Sequence, residues 1–277
     1  MTSRMHVLIT GATGGIGEAL ARQMAGLGCD LTLVARDATR LAALADDLRA
    51  TGRGIAEIAI PLGRDTDYTA LASRIVEVGG PVDILINNAA VNWFGHFATM
   101  PDADIDAVID TNIAAPIHMC RAVLPFMQQA GQGTIVNIGS VFGSIAFAGF
   151  PVYSASKFAL RGFSQGLRRE LRGSHIDVLY VAPRYTRTSF NTGPVDRMAR
   201  ATGMAMDAPQ SVAARIVTAI RKKRSETTIG FPERFFAKLN ALLPGLVDLG
   251  LMRANREILS FAPKKPGCLT FTKENVS

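Results

Sequence analysis

The feature that most constrains this chain is a regular alternation of short, β-rich apolar runs with longer segments of helical period. His6–Thr10 reads as a strand and Ile16–Leu27 as a helix. Leu31–Ala35, Ile55–Ile60, Val82–Ile86, Thr134–Ile138, Ile176–Val181 and Thr227–Gly230 read as further strands. Helices are expected at about Ala38–Ala50, Thr66–Val78, Ala103–Gln129, Pro151–Arg172 and Ser211–Arg221, and Arg184–Pro209 reads as a loop. Successive strand–helix–strand units close by right-handed crossovers into a parallel sheet covered on both faces. The expectation is an α/β, doubly wound (Rossmann-type), mostly parallel sheet with helices on both faces and a short helical C-terminal appendage. Residues 1–231 form one domain in this reading, and 232–277 a tail.

Composition narrows the classes. Of 277 residues 48% are hydrophobic and 19% charged, enough apolar material for a sizeable core and too little charge for disorder. The formal charge of +7 suits a nucleic acid, a membrane surface or an anionic small molecule. The only tight basic cluster, Arg221-Lys222-Lys223-Arg224, ends a predicted helix, where cations complement the helix dipole, so no nucleic-acid partner is expected. Cys29, Cys120 and Cys268 share no short spacing, and His6, His96, His118 and His175 are isolated. No metal site is expected, and a reducing, cytoplasmic location is. Met1–Met5 reads as too short and polar for a signal peptide. No apolar run reaches the ~18 residues of a spanning helix, and the best, Ala241–Met252, is broken by Pro244, Gly245, Asp248 and Gly250.

Between the first strand and the first helix lies Thr10-Gly11-Ala12-Thr13-Gly14-Gly15-Ile16-Gly17. Glycines there permit positive φ and close approach of a phosphate to the backbone, and the helix that follows offers free N–H groups and its positive dipole end. Strand two ends in Ala35-Arg36-Asp37. A carboxylate at this position takes ribose hydroxyls, whereas a guanidinium fits a 2′-phosphate. Arg36 comes first, so NADP(H) is expected over NAD(H), although Asp37 leaves the ribose reading open.

Tyr153-Ser154-Ala155-Ser156-Lys157 opens a predicted helix. Positions i and i+4 share a face, so both tips reach one cleft. A nearby ammonium is expected to lower the phenol pKa from about 10 toward neutrality. Only one of the four tyrosines has a lysine at this offset.

With Asn87-Asn88-Ala89-Ala90 after strand four, Asn112 in the next helix and Ser140 after strand five, the chain resembles the short-chain dehydrogenase/reductase family over roughly residues 5–230. The resemblance implies a catalytic set of Asn112, Ser140, Tyr153 and Lys157. Tyr153 would be the general acid in reduction and the base in oxidation. Lys157 would lower the tyrosine pKa and hold the nicotinamide ribose. Ser140 would bind the substrate oxygen, and Asn112 would kink its helix and support a proton-relaying water. It further implies cofactor contacts from Gly11, Thr13, Gly14, Gly15, Ile16, Gly17, Arg36, Asn88, Ala89, Ala90, Tyr153, Lys157, Pro183, Thr186 and Thr188. Residues 1–231 would then be a dinucleotide-binding and catalytic domain. Three positions depart from the family pattern. Ala90 stands for a usual Gly, Gly63 for an Asp near the adenine, and Arg184 for the Gly of a Pro-Gly pair. Arg184 would lie near the nicotinamide amide, where it could alter cofactor geometry or meet an anionic substrate group.

The segment between Ser140 and Tyr153 contains Phe142, Ile145, Phe147 and Phe150 and no charge. In this family it faces the substrate. With Trp93 after strand four, it predicts contacts from Phe142, Phe147, Phe150, Trp93, Ser140 and Tyr153 to an apolar carbonyl or alcohol. Plain core or subunit packing is the alternative. The tail reads as two short helices around Pro244, with Phe235–Leu251 covering Phe142–Phe150 as a lid; dimer packing and a membrane surface stay open. A homodimer or homotetramer is expected. Two rival functions are a catalytically silent NADP-binding sensor or scaffold and a sugar-nucleotide epimerase. The first has no use for a proton donor, and the second needs a larger C-terminal domain.

Overall fold

The computed structural model describes residues 4–191 and 193–263. Seven strands, β1 (His6–Thr10), β2 (Asp30–Ala35), β3 (Ile55–Ala59), β4 (Ile84–Asn87), β5 (Gly133–Ile138), β6 (Ile176–Ala182) and β7 (Glu226–Thr228), form one sheet. Its order is β3-β2-β1-β4-β5-β6-β7 and every pairing is parallel. Both faces are covered, so the central strands carry unbroken apolar runs whose side chains alternate between two cores. Val7 and Ile9 of β1 join one core with Leu20, Leu41, Val212 and Ile216. Leu8 joins the other with Ile75, Met119, Val123 and Val178.

The helices that supply these layers are α1 (Gly15–Gly26), α2 (Ala38–Arg49), α3 (Tyr68–Gly79), α4 (Asp102–Ile109), α5 (Ala115–Ala130), α6 (Pro151–Glu170), α7 (Gly193–Ala201) and α8 (Pro209–Arg221). The chain order reverses between β1 and β4, which opens a crevice at the carboxyl ends of the strands. The glycine turn after β1, Asn88 after β4, Ser140 after β5 and Pro183 after β6 all follow the carboxyl ends of strands at that edge.

Three expectations need correction. The single helix over Ala103–Gln129 is two helices joined by a π-helical turn, Asp110–Ala114. Arg184–Pro209 is not loop throughout, because Gly193–Ala201 is helical and buries Val195, Met198 and Ala199. The tail helices α9 (Phe231–Leu242) and α10 (Pro244–Ser260) meet at Pro244, but the second runs nine residues beyond Leu251. Cys29 and Cys120 are buried free thiols, and Cys268 lies outside the described residues.

Candidate active site

The glycine turn is a close-packed joint. Gly11 has φ +64°, and a Cβ on it would come within 2.7 Å of the Ala89 Cα. A Cβ on Gly17 would overlap the Gly11 carbonyl, and one on Gly15 the Thr188 side chain. Asn88 fastens the joint: its Nδ2 donates to the Thr10 and Gly11 carbonyls at 3.2 and 3.0 Å, and its backbone N donates to Thr10 Oγ1 at 3.0 Å. Gly14, the N-cap of α1, offers no side chain to the first N–H groups of this 12-residue helix. Those donors and the positive helix end fit a pyrophosphate.

At the end of β2, Asp37 faces its own helix. Its Oδ1 accepts the Arg40 backbone N–H at 2.9 Å and caps α2. That engagement argues against a ribose role for this carboxylate. Arg40, which the sequence reading passed over, donates from Nη2 to the Thr13 carbonyl at 2.9 Å. Arg36 leaves β2 on the same rim, exposed. The Arg40 guanidinium therefore borders the glycine turn, and Arg36 follows the end of β2 beside it in the sheet. The signal for Arg40 was its place three residues past a capping Asp.

Tyr153 and Lys157 share one face of α6, with Lys157 Nζ 5.7 Å from the Tyr153 ring centroid. Lys157 is 3% exposed and donates from Nζ to the Ile138 carbonyl at 3.2 Å. Burial lowers its pKa to about 8. Burial also pushes Tyr153 up to about 12, while a hydrogen bond with the Ser140 side chain pulls the other way. Where a lowered phenol pKa was expected, burial holds it above its ordinary value, because desolvation outweighs the Ser140 hydrogen bond. The Ser140 Oγ accepts the Phe142 N–H at 3.1 Å, which fixes it at the end of β5.

Asn112 sits in the π-turn and is 1% exposed. Its Oδ1 accepts the Val91 N–H at 2.8 Å, and its Nδ2 donates to the Val91 carbonyl at 2.9 Å and to Ser156 Oγ at 3.0 Å. The side chain ties the loop after β4 to α6, and the extra residue of the π-turn lets it reach both. Both amide hydrogens are engaged, so the side chain acts by holding the Val91 backbone and the Ser156 hydroxyl of α6 rather than by touching a substrate.

Next to Tyr153 stands an aromatic wall. Phe142 meets Phe147, Phe150 and Tyr153 with ring centroids 4.9, 5.1 and 5.9 Å away. Phe94 stacks on Phe150 at 4.7 Å. Val195 and Met198 of α7 and Ile258 of α10 pack into the same cluster. Trp93 does not join it. It is 5% exposed and packs with Met100 and Val108 elsewhere. Its neighbour Phe94 takes the expected place. The tail reaches the wall through Asn240, whose Nδ2 donates to the Ser144 carbonyl at 2.9 Å, and Asn255, whose Oδ1 accepts the Ala148 N–H at 3.2 Å.

Pro183 accepts the Val141 N–H at 3.0 Å, and Thr186 is buried with its hydroxyl on the Arg184 carbonyl. Arg184 itself forms a fork on Asp207 at 2.8 and 2.9 Å and reaches Glu233 at 3.5 Å. Its charge is matched from within the chain, so it serves as a clamp on the 184–207 excursion rather than a receptor for an anionic substrate. Tyr180 carries no signal of a site role in the sequence. It is 1% exposed, and its hydroxyl lies below Ser140 and the Lys157 carbonyl. Gly139 and Gly143 make room for it, and a Cβ on either would overlap it.

A parallel Rossmann-type sheet with this edge defines a nucleotide-binding class of doubly wound fold. The family model for short chain dehydrogenases matches residues 5–198, and the chain belongs to that family. It is 34% identical over 224 residues to the ketoacyl reductase HetN of Nostoc sp., covering 80% of this chain and 77% of that one. Among solved structures it resembles a short-chain dehydrogenase from Sphingobium yanoikuyae in complex with NADPH (TM-score 0.75, 34% identity, 88% of this chain and 95% of that one). It also resembles the bulky-bulky ketone specific alcohol dehydrogenase from Comamonas testosteroni (TM-score 0.74, 32% identity, 89% and 95%).

Proposed function

We propose that this chain is an NADP(H)-dependent oxidoreductase that interconverts a lipophilic carbonyl compound and its alcohol. The observation that carries the reading is the meeting of Ser140, Tyr153 and Lys157 beside an aromatic wall at the crevice edge. The Asp37 cap and the Arg36–Arg40 rim support the phosphorylated cofactor over NAD(H). The NADPH complex of the Sphingobium protein is consistent with that choice.

The cofactor, when bound, supplies or accepts the hydride. The α1 N-terminus and the glycine turn would hold its pyrophosphate. Ser140 donates its hydroxyl to the substrate oxygen. Tyr153, protonated at neutral pH because its pKa lies near 12, gives its proton to that oxygen as charge develops there. Lys157, still largely cationic at pH 7 with a pKa near 8, steadies the phenolate that remains. In oxidation the same groups run in reverse. The aromatic wall excludes water and accepts apolar substituents, in line with the bulky ketones named for the Comamonas relative.

The test is NADPH oxidation by the purified chain across ketones of graded bulk, with NADH alongside. Turnover favouring NADPH and large apolar ketones is the expected result. Cofactor binding without turnover of any carbonyl substrate would favour a silent cofactor-binding role.

A further inference from the structure

Arg184 stands where three segments meet. Its guanidinium forks onto Asp207 at 2.8 and 2.9 Å, and its Nη1 reaches the Glu233 carboxylate at the start of α9 at 3.5 Å. All three side chains are largely shielded from water, so these pairs are screened less than pairs on an open surface. Gly230, with φ +117°, makes the meeting possible. A Cβ there would overlap the Glu233 carboxylate and stand 3.2 Å from the Arg184 Cδ. A glycine at position 184, as in the family pattern, could make none of these contacts.

From this junction a chain of contacts runs to Tyr153. Thr186 pairs with Asp207 in an isolated parallel bridge. The Arg187 N–H donates to the Asp207 carbonyl at 3.0 Å, and the Asp207 N–H to the Tyr185 carbonyl at 2.9 Å. Asn191 fastens the next turn onto that bridge. Its Nδ2 donates to the Thr186 carbonyl at 2.8 Å, and its backbone N donates to the Thr188 carbonyl at 3.1 Å. The turn carries Phe190, which is half-buried with its ring centroid 6.2 Å from that of Tyr153.

Phe142 also meets Tyr153, but it is steadied by Phe147 and Phe150. Among the described residues the only ring contact of Phe190 is Tyr153. Its place is therefore set by the backbone of its turn, and that backbone is set by the bridge at Asp207. We propose that Phe190 is a further substrate-contacting side chain, facing the larger apolar substituent of the carbonyl compound, and that Arg184 is the positioning residue that holds it there through Asp207. The inference rests on the carbonyl reading above and adds to it the residue pair that selects for bulk. A misplacement of about 1 Å beside reacting groups is enough to change turnover strongly.

The experiment is steady-state reduction of ketones of graded bulk with NADPH. The proteins are wild type, Phe190→Ala, Arg184→Gly, Arg184→Lys and the variant carrying both Phe190→Ala and Arg184→Gly. Phe190→Ala should raise KM for bulky apolar ketones about tenfold and leave small ketones almost unchanged. Arg184→Gly should do the same, with kcat held within about threefold. Arg184→Lys keeps the charge but not the planar fork and should fall between. The double variant should be no worse than Phe190→Ala alone, because both changes remove one contact. Should Arg184→Gly not fold, Asp207→Asn weakens the same fork and takes its place in the comparison. An unchanged KM for bulky ketones in Phe190→Ala would overturn the contact. Losses that add in the double variant, or a fall in kcat common to all ketones, would reduce Arg184 to a support of the fold. Wild type that reduces no ketone would remove the carbonyl reading itself, whereas turnover by wild type with either of the preceding results removes this inference alone.

Discussion

The Tyr180 hydroxyl lies 3.3 Å from the Ser140 carbonyl oxygen and 3.4 Å from the Ser140 backbone N, directly beneath the residue proposed to hold the substrate oxygen. It also reaches the Lys157 carbonyl at 3.4 Å, so one phenol braces two members of the proposed set. These contacts are long, and one hydrogen is shared between two acceptors, so each is weak. Tyr180→Phe removes them without opening a cavity and should cost about 1 kcal/mol of stability. If that loss also reaches the transition state, kcat falls about fivefold. Denaturant midpoints and steady-state kinetics would check both. A falling kcat with an unchanged KM for NADPH identifies a positioning residue, and an unchanged kcat limits Tyr180 to packing.

Tyr153→Phe deletes only the hydroxyl and should leave folding and NADPH binding intact. Proton transfer by a placed side chain contributes roughly 10²–10⁴ in rate. Reduction of the best ketone within threefold of wild type would show that the proton comes from elsewhere.

Lys157 gives the protein a pH signature. Its folded pKa, about 8, lies below the ordinary 10.5. Below pH 8 both folded and unfolded chains hold the proton, and the folded state bears the cost of burying it. Between about pH 8 and 10.5 the unfolded chain binds more protons, so the term from Lys157 raises stability as pH rises. Tyr153 opposes this only above pH 10, where its raised pKa keeps a proton that the unfolded chain releases. From pH 8 to 10 the Lys157 contribution is roughly 2–3 kcal/mol. Across this range the stability of wild type should rise relative to Lys157→Met by about that amount, and a difference that stays constant with pH would show that the term is absent.

Arg36→Ala should weaken NADPH far more than NADH, because a charge-assisted hydrogen bond to the 2′-phosphate contributes on the order of 1.5–3 kcal/mol. Arg40→Ala should do the same to a smaller extent, since its guanidinium is already engaged by the Thr13 carbonyl. Binding titrations of both cofactors decide it. Equal losses for the two would remove the basis for NADP(H) preference.

Much of this was legible from local pattern. The six longer strands were marked by apolar runs because a parallel strand is buried on both faces, and residue pairs such as Val7 and Leu8 serve opposite cores. Tyr153 and Lys157 were legible because helical spacing alone puts them on one face. The misses are tertiary. The π-turn at Asn112 exists because Val91 and Ser156 bind its amide, and neither is near it in sequence. α7 was hidden by Gly193 and Pro194 at its start, and its buried Val195 and Met198 make sense only against the aromatic wall. Tyr180 looks like one more apolar strand residue, and its role needs Gly139 and Gly143 brought to it from the segment after β5.

The tail supplies the remaining prediction. The segment expected to cover the aromatic wall, Phe235–Leu251, largely faces outward, and the covering contacts come from Asn240 and from the last turns of α10. Ile258 is 3% exposed and packs in the cluster with Phe94 and Phe150. A Cβ on Gly149 would lie 3.7 Å from the Ile258 side chain, which sets how closely the helix presses on the loop. Ile258→Ala removes that pressure and leaves a gap beside the wall, at about 2–5 kcal/mol for a fully buried aliphatic truncation. Asn255→Ala costs less, about 1 kcal/mol, but releases the Ala148 N–H and with it the loop. Both variants should raise KM for bulky apolar ketones several-fold and leave the NADPH dissociation constant unchanged, because the glycine turn and the Arg36 rim contact neither residue. Small ketones, which need little of the wall, should be turned over almost normally. A uniform loss across all substrate sizes would mean that these helix turns support the fold alone, and the proposed covering role for the end of α10 would fall.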